Sequence, residues 1–170
     1  MPLSIIDEPD FESDQSAESV LQRAFVCALE KILSSEKITF EIRENFGLDV
    51  AVFLNNENRS WIKLFELKAF VGGRPGGIGF GNQQGRGSQV DLLLSESPKI
   101  FDPSIRWIMA YGLRPKDTPR YAFFTCAAAK KAAMGGVRRD KQNNLRVKDF
   151  ENELFTWKEL LERTYTFLVT

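Results

Sequence analysis

A chain of 170 residues has room for one ordinary domain, and a 43% hydrophobic content that includes 14 Phe residues is enough for a real core. The 23 basic and 23 acidic side chains cancel, so no global field favours nucleic acid or a membrane surface. Histidine is absent, which removes Ser-His-Asp and Cys-His catalysis, histidine-zinc sites and any nuclease with a histidine base.

Charge is uneven along the chain. Asp7 to Glu18 holds six acids and no base, whereas Lys130 to Lys148 holds seven bases and one acid. Cys27 and Cys126 form no CxxC motif and stand in apolar surroundings, so they read as two buried thiols in a reducing compartment. The acidic start does not fit a signal peptide, and no apolar run reaches the length of a bilayer span. A cytoplasmic location is expected.

In chain order, the stretch to about Glu12 reads as a loose acidic terminus. The apolar positions Val20, Leu21, Ala24, Phe25, Ala28, Leu29, Ile32 and Leu33 have helical spacing, which predicts a helix over 13–34 capped by Ser13 or Ser16. Ile38, Phe40 and Ile42 alternate with polar residues, predicting a strand over 38–42. A second strand follows over 47–54, then a turn at Asn55 to Asn58 and a third strand over 61–68, so the last two should form a hairpin. Eight of the 12 glycines fall between Gly72 and Gly87, which predicts an unusually shaped loop. A buried element, read as a helix, spans 88–95 and stops at Pro98. Strands are expected over 105–111 and 121–126, a short helix over 127–134, a helix over 155–163 and a last strand over 165–169. The order describes an α/β fold, one domain over 1–170 with its core at about 12–127 and a basic segment and helix at 128–170.

Glu66-Leu67-Lys68 is the only acid-x-Lys triplet in the chain. On a strand its two charges share one face, amid the apolar Leu64, Phe65 and Leu67, where charge is costly unless paired or metal-bound. A charged pair in a strand is ordinarily a solvent-facing pair on an edge. Here Asp49, near the start of the preceding strand, can be brought beside Glu66 by the hairpin, and a divalent cation resolves the repulsion between two such anions. Carboxylate-only chemistry of this kind suits hard cations such as Mg²⁺ or Mn²⁺.

An acid on one strand followed by Glu-x-Lys on its partner, within an order of helix, three strands, helix and strand, resembles the PD-(D/E)XK nuclease superfamily. The resemblance covers roughly Glu12 to Tyr111, with Leu48 in place of the family's proline. It implies a restriction-endonuclease-like core: a central mixed β-sheet flanked by helices in αβββαβ order. It also implies a metal-dependent endonuclease with Asp49, Glu66 and the Leu67 carbonyl binding Mg²⁺ (Mn²⁺ as substitute). Lys68 would orient a water or stabilise transition-state charge, and burial could lower its pKa enough for it to act as a base. Glu18 resembles the acid near the start of the family's first helix, with Glu30 on the same helix as the alternative.

Nucleic acid, with DNA first, is the expected partner. Gly77 to Gly81 does not fit a dinucleotide or P-loop fingerprint, so the glycine-rich stretch is either a connector or a loop against a sugar-phosphate backbone, with Arg74 and Arg86 on phosphates. Gln83 and Gln89 are the polar residues chosen to face the site. Lys130, Lys131, Arg138, Arg139 and Lys141, continued by Arg146 and Lys148, form a candidate backbone-binding surface, although a charge run is more often a solvated face. Trp107 and Trp157 are expected in the core. A homodimer is expected because duplex cleavage needs two sites and one chain has one. The rival reading is a non-catalytic nuclease-like module that binds nucleic acid or serves a larger complex.

Overall fold

Ser16 opens the first helix by accepting the Ser19 N–H on its hydroxyl at 3.2 Å, which satisfies one of the donors that a helix start leaves bare. Helix α1 (Ala17–Ser34) turns Leu21, Phe25, Ala28, Leu29, Ile32 and Leu33 inward, the apolar face that the spacing predicts. The computed structural model describes residues 6–12, 16–46, 48–69, 77–79, 103–111, 118–125, 128, 144–146 and 153–170. The expected helices over 88–95 and 127–134 lie outside these residues, apart from Ala128.

Three antiparallel strands follow: β1 (Thr39–Phe46), β2 (Leu48–Asn55) and β3 (Ser60–Ala69). Asn56 shapes the turn between β2 and β3, its carboxamide oxygen accepting the N–H groups of Asn58 and Arg59 at 2.9 Å each. A short ladder pairs β4 (Gly77–Gly79) with β7 (Asn144–Arg146), so part of the glycine-rich stretch is strand rather than loop. β5 (Ile105–Tyr111) runs parallel to β3, with Leu67 opposite Ile108. β6 (Arg120–Phe124) and β8 (Leu154–Phe155) extend the same sheet antiparallel, giving six strands in the order β1-β2-β3-β5-β6-β8. With α1 and α2 (Trp157–Val169) it is a mixed-sheet α/β fold.

Strand alternation gives the sheet two different faces. Val50, Val52, Phe65, Leu67, Ile108 and Tyr121 join the core shared with both helices. Phe65 is its hub, with its ring edge-on to Phe25 of α1 at 5.0 Å and to Phe167 of α2 at 5.5 Å. By the same register Glu66, Lys68, Trp107 and Met109 lie on the opposite face. Trp107 and Trp157 are both buried, as core residues should be.

Three expectations are corrected. The strand predicted over 165–169 is the second half of α2, and the predicted helix start at Phe155 is the end of β8. A capping box between Thr156 and Glu159 fixes the helix start, and Trp157, Leu160, Leu161, Thr164, Phe167 and Leu168 continue one inward face without a break. Packing of that face overrides the strand preference of Tyr165 to Val169. The helix end is held from the β2–β3 hairpin: Arg59 donates to the carbonyls of Val169 and Thr170, and the Trp61 indole donates to that of Leu168 at 2.7 Å. Cys27 is exposed rather than buried, because it falls off the inward stripe of α1, and Cys126 lies outside the described residues. No helix among the described residues is long and apolar enough to cross a membrane.

Candidate active site

β3 is flanked by β2 and β5, so Glu66 and Lys68 stand on an inner strand rather than an edge. Glu66 is 3% exposed and the Lys68 side chain 17% exposed, which overturns the solvent-facing alternative for this pair. The Lys68 ammonium lies 3.3 Å from Glu66 Oε1 and 3.2 Å from Glu18 Oε1. Lys68 thus joins the end of β3 to the first turn of α1. Glu18, not Glu30, is the helix acid that reaches the cluster; Glu30 lines a 470 Å³ groove beside Cys27, Glu44 and Asn45.

Asp49 arrives from β2. Carried one step beyond the Val50–Phe65 pair, the ladder sets Asp49 across from Glu66. Its Oδ2 accepts the Leu67 N–H at 2.7 Å. Charge-assisted hydrogen bonds of that kind are among the stronger ones, so the carboxylate is oriented as well as near. The ladder on its other side is interrupted: β1–β2 pairing passes from Glu44–Val50 to Phe46–Leu48 and skips Asn45–Asp49. Asn45 has a φ of 56°, in the left-handed region that Asn tolerates better than most residues. From α1, Gln22 Nε2 donates to Glu44 Oε1 at 3.1 Å and to the Asp49 carbonyl at 3.5 Å.

The electrostatics correct one expectation. Burial is the largest single influence on Lys68 and pulls its pKa down, but Glu66, Glu18 and Asp49 together outweigh it and hold the ammonium above its ordinary value. Lys68 in this setting is a cation and hydrogen-bond donor that holds its proton more tightly than a free lysine.

Among the described residues no three His, Cys, Asp or Glu side chains converge as a metal cluster. The contact that is made is between the Asp49 carboxylate and the Leu67 N–H, one residue on from Glu66. In an antiparallel ladder a residue turns its N–H and C=O toward the same neighbouring strand. Since the Leu67 N–H faces Asp49, its carbonyl points to that side too. The Asp49 carboxylate spends one lone pair on Leu67 and keeps further acceptor capacity. Carboxylate and peptide carbonyl oxygens are hard donors, the kind that hard cations take.

Gln22, Glu44 and Asn45 were not singled out from the sequence. One signal was available for Gln22, its spacing of one helical turn from Glu18. Arg74, Arg86, Gln83, Gln89, Lys130, Lys131, Arg138, Arg139 and Lys141 lie outside the described residues. The β4–β7 ladder does set Gly77 opposite Arg146, so the glycine-rich and basic stretches meet through their backbones. An 890 Å³ cleft borders Lys63, Arg106, Phe155 and Arg163, toward the starts of β3 and β5 and away from Glu66 and Lys68. Comparison with family models, curated proteins and solved structures gave no match.

Proposed function

We propose that the protein is a Mg²⁺-dependent endonuclease of the PD-(D/E)XK kind that hydrolyses phosphodiester bonds of nucleic acid, with DNA as substrate and Mn²⁺ as a substitute cation. The observation that carries this reading is the meeting of Asp49, from β2, with the Glu66-Leu67-Lys68 end of β3, where the aspartate is anchored on the Leu67 N–H. The order of a helix, three antiparallel strands and a strand parallel to the third supports a restriction-endonuclease-like core. The contact between the glycine-rich and basic stretches supports a nucleic-acid surface near one another in the chain's fold.

Asp49, Glu66 and the Leu67 carbonyl would hold the cation. Such an ion, when bound, supplies Lewis acidity toward a phosphate oxygen and acidifies a water. Lys68, kept protonated by its acidic neighbours, donates to the attacking water or to a phosphate oxygen and stabilises charge that grows in the transition state. Glu18 restrains the Lys68 ammonium from the α1 side. Water adds to phosphorus as the bond to the 3′ oxygen breaks, leaving a 5′-phosphate and a 3′-hydroxyl.

The test is incubation of the protein with plasmid and with short duplex and single-stranded substrates in Mg²⁺, Mn²⁺ or EDTA. Cation-dependent cleavage lost in Glu66→Ala and in Lys68→Ala is the expected outcome; undiminished cleavage by both variants refutes the assignment. A thermal shift on adding Mn²⁺ that disappears in Asp49→Ala supports the cation site independently of turnover.

A second reading has its own observation. Lys68 already bridges Glu18 and Glu66, and among the described residues no three His, Cys, Asp or Glu side chains are grouped to hold a metal ion. A nuclease-like module that binds nucleic acid without cutting it would carry such a cluster as a structural ion bridge. Salt-sensitive DNA binding with neither cleavage nor a cation-induced shift would identify it.

A further inference from the structure

We infer that Gln22 is a positioning residue for Asp49, and that it replaces the strand neighbour which Asp49 lacks. The inference rests on the reading of Asp49 as a cation ligand. In a regular hairpin Asn45 would pair with Asp49 and fix its backbone. That pair is missing, and the residue that should supply it is turned into the left-handed region. The backbone left without a strand partner still needs its polar groups satisfied.

Gln22 does this for the Asp49 carbonyl, from the neighbouring layer. It stands one helical turn after Glu18, so both side chains leave α1 on the same side. Its carboxamide has two N–H donors on one nitrogen, and two acceptors lie within reach: Glu44 Oε1 at 3.1 Å and the Asp49 carbonyl at 3.5 Å. Glu44 is the residue just before the twisted Asn45, and Asp49 is its absent partner, so Gln22 clasps both sides of the interruption. The far end of Asp49 is tied separately, by its carboxylate to the Leu67 N–H. Backbone held by α1 and carboxylate held by β3 together define where Asp49 points. Gln22 is half-buried and borders the open groove shared with Asn45, so changing it does not strand a polar group in the core. A group that touches a ligand's backbone in this way acts as an outer-shell partner, whose loss costs about 10- to 100-fold in metal affinity.

The experiment compares wild type, Gln22→Leu and Gln22→Lys, the last keeping a donor that can reach both a carboxylate and a carbonyl. Two readouts are taken at one neutral pH. The first is the amide proton shift of Leu67, which moves downfield when a carboxylate accepts it and reports the Asp49 position without any metal. The second is Mn²⁺ affinity by titration calorimetry. Expected are an upfield Leu67 amide and about 10-fold weaker Mn²⁺ binding in Gln22→Leu, and near-wild-type values in Gln22→Lys, with similar melting temperatures. An unmoved Leu67 amide in a folded Gln22→Leu overturns the inference, as does failure of Gln22→Lys to restore it. Absence of Mn²⁺ binding in wild type sinks the cation reading instead, while the amide shift still decides whether Gln22 places Asp49.

Discussion

Lys68 carries two opposed demands. A largely buried ammonium should lose its proton more easily, yet three nearby carboxylates make it keep that proton. Because its pKa is raised on folding, its contribution to stability is fully present below the ordinary lysine value of 10.5 and is lost as pH rises through the higher folded value. In EDTA, Lys68→Met should therefore lower stability by about 1–3 kcal/mol, since it strips a charged partner from the buried Glu66. Urea melts should show that difference constant from about pH 6 to 9 and shrinking only in strongly alkaline buffer; a difference that vanishes near neutrality would mean that Lys68 is not charged in the fold. At this scale the sequence was readable where residue type and spacing suffice. A unique triplet with alternating charges announces Glu66 and Lys68. The Gln22–Asp49 contact joins residues 27 positions apart through a backbone carbonyl, and no periodicity encodes that.

At the scale of elements, the helices differ in how openly they declare themselves. α1 has an unmixed apolar stripe and a serine cap, and both were legible. The second half of α2 contains Tyr165, Thr166, Phe167 and Val169, side chains that favour strands, so local preference pointed the wrong way. What holds this stretch helical begins upstream, at the Thr156–Glu159 capping box, and ends with Arg59 and Trp61 on the last carbonyls. Thr156→Ala should cost about 1 kcal/mol, read as a lower urea midpoint with an unchanged slope. The strand predicted over 38–42 stops short because Glu44 stands where the alternation calls for an apolar side chain, although the strand runs on to Phe46. The positive φ of Asn45 suggests its own check: Asn45→Gly should be tolerated, whereas Asn45→Val should destabilise by about 1–2 kcal/mol because a branched Cβ clashes in that region.

For the whole molecule, the sequence disclosed most of the described strands and the β2–β3 hairpin, but not the order of the sheet. The sheet order follows from β3 taking β5, not β4, as its parallel partner, a choice made by burial of Leu67 against Ile108 and not by any local signal. That choice also sets a timetable. The β1–β2–β3 meander closes through short turns, whereas β5 can dock on β3 only after residues 70–104 have been looped back, at a larger entropic cost. Contacts of low sequence separation form sooner. Substitutions inside the meander, such as Val52→Ala, should slow folding, while Ile108→Val in β5 should mainly speed unfolding; stopped-flow chevrons with the opposite pattern would place the nucleus on the parallel pair. Asp49 and Glu66 both belong to the early meander, so the strands that carry them pair before β5 completes the sheet. Lys68 lies in the same meander, 3.3 Å from Glu66, so the charge that offsets the acids is in place before β5 docks.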